Sequence, residues 1–339
     1  MPQDNPDTPG PNTNKPTRGP KRPAKETALR VTAAVVAAAL VLGAAMLAAL
    51  PFVAMPLLGL TRHVSFSRTF SPEEASLAAE PVTLETEDGL NIQAWFAPSQ
   101  REETKAAIIF LSGILRPSVT WYFPHAAWLA GEGYASMPVE TRAHGASDGD
   151  RMGLGITEIA DVAAAVDYLR DRLPGAPVVV FGVSMGGVVA VNSFGEIPEI
   201  AAPISLSAYT SWPDEFTQMM NSYYHIPRFI AAAEQPFVWL YLGFTFGFDK
   251  LGINPLNEIK KANGRPILLM QSTQDSQVAF ENYEALSEAA PDAESFLRDG
   301  DTHMIISDEQ FLTPWEDTAY AEAILDFLDR NFGGTKAAE

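Results

Sequence analysis

The sequence predicts an α/β fold with a mainly parallel β-sheet, helices on both faces, an aromatic-rich lid insertion and one preceding transmembrane helix. Strand-like apolar runs alternate with helix-like segments from residue 80 onward, and this alternation is typical of parallel sheets that helices cover on both faces. An uncharged run of 20 residues, Val31 to Leu50, lies near the N-terminus. With 339 residues, 47% of them hydrophobic, the chain is long enough for one large domain with appendages.

The N-terminal region divides into a polar tail and an apolar segment. Residues 1–27 are rich in Pro, Asn, Asp, Thr and Lys and have almost no large apolar side chains, so a disordered tail is predicted there. Residues 28–60 are predicted to form a membrane anchor, because residues 31–50 alone would cross a hydrocarbon core of about 30 Å. The alternatives are a buried core helix, which is usually shorter and amphipathic, and a cleaved signal peptide, whose apolar region usually has only about 7 to 15 residues.

Basic residues around the apolar segment predict its orientation. Arg62 and Arg68 follow the segment closely, whereas a larger basic group precedes it. That group is Lys15, Arg18, Lys21, Arg22, Lys25 and Arg30. Since cytoplasmic flanks carry the excess of Lys and Arg, a single-pass protein is expected, with its N-terminus in the cytoplasm and residues 61–339 outside it.

The main domain is predicted at residues 80–332, after a linker at 61–79 and before a short tail at 333–339. It opens with two strands around the Asp88–Gly89 turn, which are expected to give the sheet an antiparallel edge. The next run, Ala106 to Leu111, is apolar throughout and suits a buried strand. The later elements are predicted as a helix through 126–130, a strand at 134–139, a helix at 156–172, a strand at 178–181, a helix after residue 184, strands at 202–206 and 266–270, a helix at 280–289, a strand at 295–297 and a closing helix at 315–332.

An insertion at about residues 210–262 is predicted to form a lid. Its aromatic content lies far above the chain average of 10%. The rings belong to Trp212, Phe216, Tyr223, Tyr224, Phe229, Phe237, Trp239, Tyr241, Phe244, Phe246 and Phe248. About half of them are expected to pack in the insertion's own core. Several others are expected to line the ligand site, because ligands of open α/β sheets bind at the carboxyl ends of the strands.

The pentapeptide Gly182-Val183-Ser184-Met185-Gly186 marks Ser184 as a candidate nucleophile. A serine nucleophile requires a strand, a tight turn and then a helix. The β-branched and aromatic run at 178–181 suits the strand, and MGGVVAVNSF can begin the helix. A second match to the same pattern surrounds Ser147, but its polar, glycine-broken context predicts a loop. Ser184 is therefore the predicted nucleophile.

A serine nucleophile needs a base and an acid that orients the base. Of the five histidines, His303 alone follows a late strand, in FLRDGDTHMI. Between Ser184 and His303, Asp275 is the acidic residue that best follows the end of a strand, in PILLMQSTQDSQV. The predicted catalytic residues are therefore Ser184, Asp275 and His303.

These motifs resemble those of the α/β-hydrolase superfamily, which has the same order of catalytic residues. The resemblance covers about residues 80 to 332 and is closest to the serine-aminopeptidase-like and monoacylglycerol-lipase-like branch. It is carried by GEGYASMPVETRAHGASDG, which is similar to the family's arginine-loop segment, and by NPLNEIKKANGRPILLMQSTQDSQV before the acid. In that light Ser147 belongs to a structural loop.

Two motifs depart from the family pattern. Ser112 replaces the histidine of the oxyanion motif before Gly113, and Glu140 and Ala143 replace the usual Asp and Gly of the arginine loop. The resemblance implies acyl transfer with an oxyanion held by the backbone N–H groups of Met185 and Ile114.

Composition excludes several other functions. The net charge of −19 is opposite to the basic patch that nucleic-acid binding requires. The absence of cysteine excludes disulfides, thiolate metal sites and cysteine nucleophiles. No metal-binding or dinucleotide motif is present, and no cofactor is expected. The expected partners are a small ester or lipid-like substrate and, through residues 31–50, the bilayer.

A membrane-anchored serine hydrolase that cleaves an ester with a hydrophobic acyl group is the function these observations favour. A peptidase or amidase of the serine-aminopeptidase type is one alternative. A non-catalytic module with the same fold is the other, because fold alone never proves activity.

Overall fold

The computed structural model describes residues 24–57, 62–115, 117–308 and 310–334, and its central element is a six-stranded parallel sheet. The strands are β1 (Glu80–Glu85), β2 (Asn91–Phe96), β3 (Ala106–Leu111), β4 (Tyr134–Pro138), β5 (Val178–Val183), β6 (Ile200–Leu206), β7 (Leu268–Ser272) and β8 (Glu294–Arg298). The sheet has the order β4-β3-β5-β6-β7-β8, with every neighbouring pair parallel. The parallel α/β architecture predicted from the alternation of elements is confirmed.

Helices cover both faces of this sheet, as its apolar strands require. In the described part of the chain, the helices are α1 (Ala24–Leu57), α2 (Phe123–Glu132), α3 (Ile159–Arg172), α4 (Met185–Glu196), α5 (Trp212–Tyr224), α6 (Arg228–Ala232), α7 (Gln235–Phe246), α8 (Pro255–Glu258), α9 (Phe280–Ala289) and α10 (Thr318–Phe332). Ile109 and Val180 pack on the side of α3 and α4, whereas Phe110 and Phe181 pack on the side of α2 and α10. Successive residues of a strand therefore contribute their side chains to two separate hydrophobic cores.

The hairpin of β1 and β2 pairs antiparallel and lies beside the edge strand β4. It was expected to extend the sheet, but it forms a separate two-stranded sheet that two isolated bridges, Ala94 to Val139 and Ala97 to Ser136, connect to β4. The reason lies in Pro138, which faces Trp95 in this register and has no N–H to donate. The proline therefore interrupts a continuous ladder.

Two helices begin later than the sequence indicated, because side chains hold the preceding loops. Glu158 accepts hydrogen bonds from the backbone N–H groups of Gly153 and Gly155, and α3 begins at the next residue, Ile159. Asp317 accepts a hydrogen bond from the Tyr320 N–H and caps α10.

Helix α1 is long and apolar enough to cross a membrane, because its candidate span Lys25–Leu57 contains an 18-residue window with a mean hydropathy of 2.5. It begins at Ala24, so residues 24–27 are helical rather than disordered, as suits the helix formers Ala24, Lys25 and Glu26. The rest of the predicted disordered tail, residues 1–23, lies outside the described residues, as do residues 58–60 of the predicted anchor and most of the C-terminal tail.

The chain divides into two compact units within α1, between Leu47 and Ala48. In the second unit, the last turns of α1 pack against the insertion. The Phe52 ring meets the Tyr241 ring of α7 edge-on with centroids 5.1 Å apart, and Met55 is completely buried. These residues of the predicted anchor are therefore part of the folded domain.

The segment at 62–79, predicted as a linker, also contacts the domain. Val64 donates its N–H to the Ala143 carbonyl at 2.7 Å and accepts the N–H of Gly145 at 2.9 Å. Leu77 is buried in the core on the side of α2. The connection between α1 and the sheet is thus fixed to the domain at several points.

Candidate active site

Ser184 occupies a strained turn between β5 and α4. Its backbone has φ 56° and ψ −122°, a conformation that costs a non-glycine residue about 1–3 kcal/mol. A Cβ on Gly182 would lie 2.1 Å from the Gly186 carbonyl oxygen, and one on Gly186 would lie 2.6 Å from the Leu111 carbonyl oxygen. The two glycines of the pentapeptide therefore permit the close approach of the turn to β3, and the turn presents Ser184 at the carboxyl edge of the sheet.

The predicted oxyanion donors are Met185, at the start of α4, and Ile114, a few residues after the end of β3. Met185 is the first residue of α4, where a backbone N–H has no acceptor within the helix. Ile114 lies in the loop after β3. His144 Nε2 is 2.8 Å from the Ile114 carbonyl oxygen, and Ser112 Oγ donates to the Pro117 carbonyl. Ser112, at the position of the family's histidine, thus forms a hydrogen bond within this loop.

Asp275 and His303 form a buried pair across the loops that follow β7 and β8. His303 Nδ1 lies 2.9 Å from Asp275 Oδ2. The other carboxylate oxygen, Oδ1, accepts the N–H groups of Gln277 at 2.8 Å and Val278 at 3.0 Å. Burial alone would raise the pKa of Asp275, but the hydrogen bond and charge of His303, with the two backbone N–H groups, hold that pKa below its usual value. Asp275 is therefore a carboxylate able to orient the His303 ring.

A cavity of about 980 Å³ connects these elements. Ser184, His303 and Ile114 all contribute to its wall. Its further lining includes Phe66, Arg68, Trp121, Met219, Tyr223 and Val278. The structure thus brings the predicted nucleophile and base to one cavity, which is large enough for a substrate of drug size.

The insertion contributes to this cavity through one helix face. Glu215, Met219 and Tyr223 of α5 follow one another at a spacing of four residues and line the cavity together. Several insertion rings were expected there, but among the described residues Tyr223 is the one that lines it. Trp212, Phe216 and Tyr241 are buried, whereas the rings of Tyr224, Phe229, Phe244 and Phe248 are exposed at the surface. The expectation was wrong, because most of the other rings pack in the core or lie at the surface instead of in the cavity wall.

Glu215 is the cavity residue that the sequence analysis missed. It is 7% exposed, and its Oε2 atom is buried with no hydrogen-bond partner among the described residues. Burial raises the pKa of Glu215 to about 8, and the charges of Asp275 and Asp214 shift it in the same direction. The one signal in the sequence was its helical spacing with Met219 and Tyr223, which is equally typical of ordinary helix packing.

Ser147, the rejected serine, has a structural environment. It is 3% exposed, its Oγ donates to the Glu140 carbonyl, and the same oxygen accepts the Gln93 N–H at 2.9 Å. The substituted residue Glu140 is also buried and accepts a hydrogen bond from Ser118 Oγ at 2.8 Å. Ser147 therefore connects the arginine loop to β2 and does not line the cavity.

The remaining histidines lie elsewhere. Within the part of the chain that the structure describes, His303 is the one histidine in the cavity wall. His125 is buried with its Nε2 3.0 Å from the Tyr320 hydroxyl, and His225 ends α5 in a left-handed conformation. The described residues contain no group of three or more His, Cys, Asp or Glu side chains that suits a metal ion.

Comparisons with known proteins match both the sequence and the fold. Residues 102–239 match a family model described as serine aminopeptidase, S33. This segment contains Ser184 and ends before Asp275 and His303. The Pyrococcus furiosus esterase Pf2001 is similar in structure, with a TM-score of 0.61 and 24% identity over 80% of this chain and 99% of the esterase. The α/β hydrolase GrgF from Penicillium sp. sh18 has a TM-score of 0.57 and 19% identity, over 76% of this chain and 100% of GrgF.

The chain has the fold of the α/β hydrolases, and residues 102–239 also resemble the serine aminopeptidases in sequence. An acylaminoacyl peptidase from Pyrococcus horikoshii is also similar, with a TM-score of 0.54 and 15% identity over 78% of this chain, but this chain matches only 43% of the peptidase. No curated protein matches the sequence. The resemblance read from the sequence is confirmed at the level of the fold, and both esterases and peptidases are found among the structural neighbours.

Proposed function

We propose that the chain is a membrane-anchored serine hydrolase that cleaves a carboxylic ester with a hydrophobic acyl group. One observation carries the proposal: Ser184, in a strained turn before a helix, and His303, paired with the buried Asp275, line the same cavity. A serine presented to a cavity by such a turn and a histidine held by a carboxylate are the components of acyl transfer.

In this mechanism His303 takes the Ser184 proton as the serine oxygen attacks the substrate carbonyl carbon. Asp275 holds the ring through Nδ1 and stabilises its charged form. The backbone N–H groups of Met185 and Ile114 stabilise the oxyanion, each by about 3 kcal/mol. His303 then returns the proton to the leaving alcohol. A water molecule, activated by the same histidine, releases the acid from the acyl-enzyme and restores Ser184.

The cavity wall supports a hydrophobic acyl group. Ile114, Met219 and Val278 contribute apolar side chains to the wall that also contains Ser184, and each methylene buried there contributes about 0.8 kcal/mol to binding. The family model and the peptidase neighbour support a second candidate, hydrolysis of aminoacyl amides.

Labelling with a fluorophosphonate tests whether the chain is an enzyme. We expect the probe to bind covalently to Ser184 in the wild type and the Ser147→Ala variant, but not in Ser184→Ala. Turnover of p-nitrophenyl esters should fall by several orders of magnitude in Ser184→Ala and in His303→Ala, because the residues act as a unit. Circular dichroism verifies folding. A folded wild type that neither reacts with the probe nor turns over esters would indicate a non-catalytic module, and loss of labelling in Ser147→Ala alone would overturn the assignment.

Residues 31–50 are proposed to cross the bilayer once, with the N-terminus in the cytoplasm and the domain outside. Support comes from the length and hydropathy of α1 and from the basic residues before Val31.

A further inference from the structure

We propose that His144 is a positioning residue for the hydrolysis. Together with Glu140, it holds the loop after β3 in the conformation that offers the Ile114 N–H to the oxyanion of the substrate. We call residues 112–115 and 117–118 the oxyanion loop and residues 140–149 the arginine loop. The inference rests on the proposed function, because the oxyanion forms when Ser184 attacks the ester.

His144 contacts the residue that would supply the oxyanion donor. Its Nε2 atom lies 2.8 Å from the Ile114 carbonyl oxygen, and the ring must donate this hydrogen bond because a carbonyl oxygen only accepts. The other ring nitrogen, Nδ1, lies 2.9 Å from the Arg142 carbonyl oxygen within the arginine loop. Phe66 stacks on the ring, with the two centroids 6.2 Å apart and the planes inclined by 17°. The histidine ring thus connects the arginine loop to the oxyanion loop.

Glu140 holds the other end of the oxyanion loop. Its Oε2 atom accepts a hydrogen bond from Ser118 Oγ at 2.8 Å, and its Oε1 atom accepts the N–H of Val119 at 3.3 Å. The family pattern has an aspartate at this position, which is one methylene shorter than Glu140. Ser112, the other departure from the pattern, donates to the Pro117 carbonyl within the same loop. The oxyanion loop is therefore bound to the arginine loop near both of its ends.

The arginine loop is itself firmly held, so it can support these contacts. Arg142 donates to Asp161 through Nε at 2.9 Å and Nη2 at 2.8 Å, and to Asp88 through Nη1 at 2.7 Å. Glu140 and His144 are 3% and 2% exposed, and neither lines the cavity. Both residues can therefore act on a substrate only through the oxyanion loop, which does line it.

Ile114 needs this support because of the residue before it. Gly113 has no Cβ, so the peptide bond that carries the Ile114 N–H can turn more freely than a bond between larger residues. Stabilisation of an oxyanion requires donors whose direction is fixed before the charge forms. The bond from His144 fixes the Ile114 carbonyl and thereby restricts the backbone angles that set the direction of the N–H. Its loss should weaken stabilisation of the oxyanion and leave binding of the ester intact.

Two amide substitutions at His144 test the inference. In His144→Gln the side-chain amide reaches about as far as Nε2 and can still donate to the Ile114 carbonyl. In His144→Asn the shorter amide reaches only the place of Nδ1. With p-nitrophenyl octanoate we expect kcat to fall by about 30- to 100-fold in His144→Asn, with KM within about twofold of the wild type. In His144→Gln kcat should stay within about threefold, whereas a merely structural histidine would make the two variants alike.

His63→Asn is the matched control. Both ring nitrogens of His63 also face carbonyl oxygens of the arginine loop, at 2.9 Å from Gly149 and 3.0 Å from Gly145. Among the described residues, no hydrogen bond joins His63 to the oxyanion loop. Its asparagine variant should therefore keep the kcat and KM of the wild type.

Inhibition by heptyl trifluoromethyl ketone, which has the acyl chain of octanoate, measures stabilisation of the oxyanion. Ser184 Oγ adds to the ketone carbon, His303 takes the serine proton, and the π electrons of the carbonyl move to its oxygen, which becomes negatively charged. The alcohol obtained by reducing the ketone has the same chain but forms no oxyanion. In His144→Asn the Ki of the ketone should rise by the factor by which kcat/KM falls, and the Ki of the alcohol should stay within about twofold.

The outcomes separate this inference from the proposed function. Equal kcat values in His144→Asn and His144→Gln, both shown to be folded by circular dichroism, would overturn the role of His144. Equal increases in the Ki of ketone and alcohol in His144→Asn would also overturn it. If His144→Asn does not fold, Ser118→Ala decides, because it removes the bond to Glu140: an unchanged ratio of the two Ki values would then contradict the inference. A ketone that binds Ser184→Ala as tightly as the wild type would instead refute the proposed function itself.

Discussion

At the scale of the residue, Asp275 allows the role of charge to be separated from the role of packing. Asp275→Asn keeps the size of the side chain but removes the carboxylate that accepts the His303 N–H. We expect kcat for ester hydrolysis to fall by about 10⁴-fold with little change in Tm, as for the same change in a serine protease. Asp292→Asn, in an exposed loop, is the control and should leave kcat unchanged. A decrease of less than tenfold in folded Asp275→Asn would argue against its proposed role.

Single residues differ in how far the sequence reveals them. Ser184, Asp275 and His303 were predicted because acyl transfer demands those residue types at the ends of strands, and strands can be read from apolar runs. Their roles stay proposals, but the structure brings Ser184 and His303 to one cavity and pairs Asp275 with His303. Glu215 could not be predicted, because its burial and its missing partner depend on how α5 packs above the sheet.

At the scale of the element, the contribution of α5 to the cavity wall leads to a prediction about acyl length. We expect kcat/KM for p-nitrophenyl esters to rise from acetate to a medium or long chain, because each methylene gains about 0.8 kcal/mol until the cavity is full. Met219→Ala should reduce this gain by removing apolar contact at the cavity wall. Met220→Ala, its neighbour outside the wall, should retain it. Rates that fall steadily from acetate, together with efficient cleavage of aminoacyl amides, would favour the peptidase.

Element order was predictable because each strand and helix has its own apolar pattern. The interruption of the ladder between β2 and β4 is also encoded in the sequence, at Pro138. Its effect can be recognised only once Trp95 is known to face this proline. The aromatic rings of the insertion were harder to place. A helix such as α7, with apolar residues on every side, does not indicate which rings become buried and which remain exposed.

At the scale of the whole molecule, the absence of cysteine makes the membrane orientation directly testable. A single cysteine, introduced as Asn14→Cys or as Glu103→Cys, is free of any background from native thiols. We expect a membrane-impermeant maleimide to label the Glu103→Cys variant in intact cells and the Asn14→Cys variant only after permeabilisation, because the basic residues lie before Val31. The reverse pattern would refute the proposed orientation, and release of the domain into the medium would indicate a cleaved signal peptide.

The last turns of α1 and the segment that precedes β1 both pack on the folded domain. Phe52 and Met55 pack on the domain on one side of this segment, and Val64 pairs with the arginine loop on the other. Four residues lie between Leu57 and Arg62, and a stretch of that length spans at most about 18 Å. Under the proposed anchoring, we expect the enzyme to act on esters that partition into the lipid surface. Turnover should follow the mole fraction of ester within the lipid surface, and diluting the ester with inert lipid should slow the reaction even when its bulk molarity is unchanged.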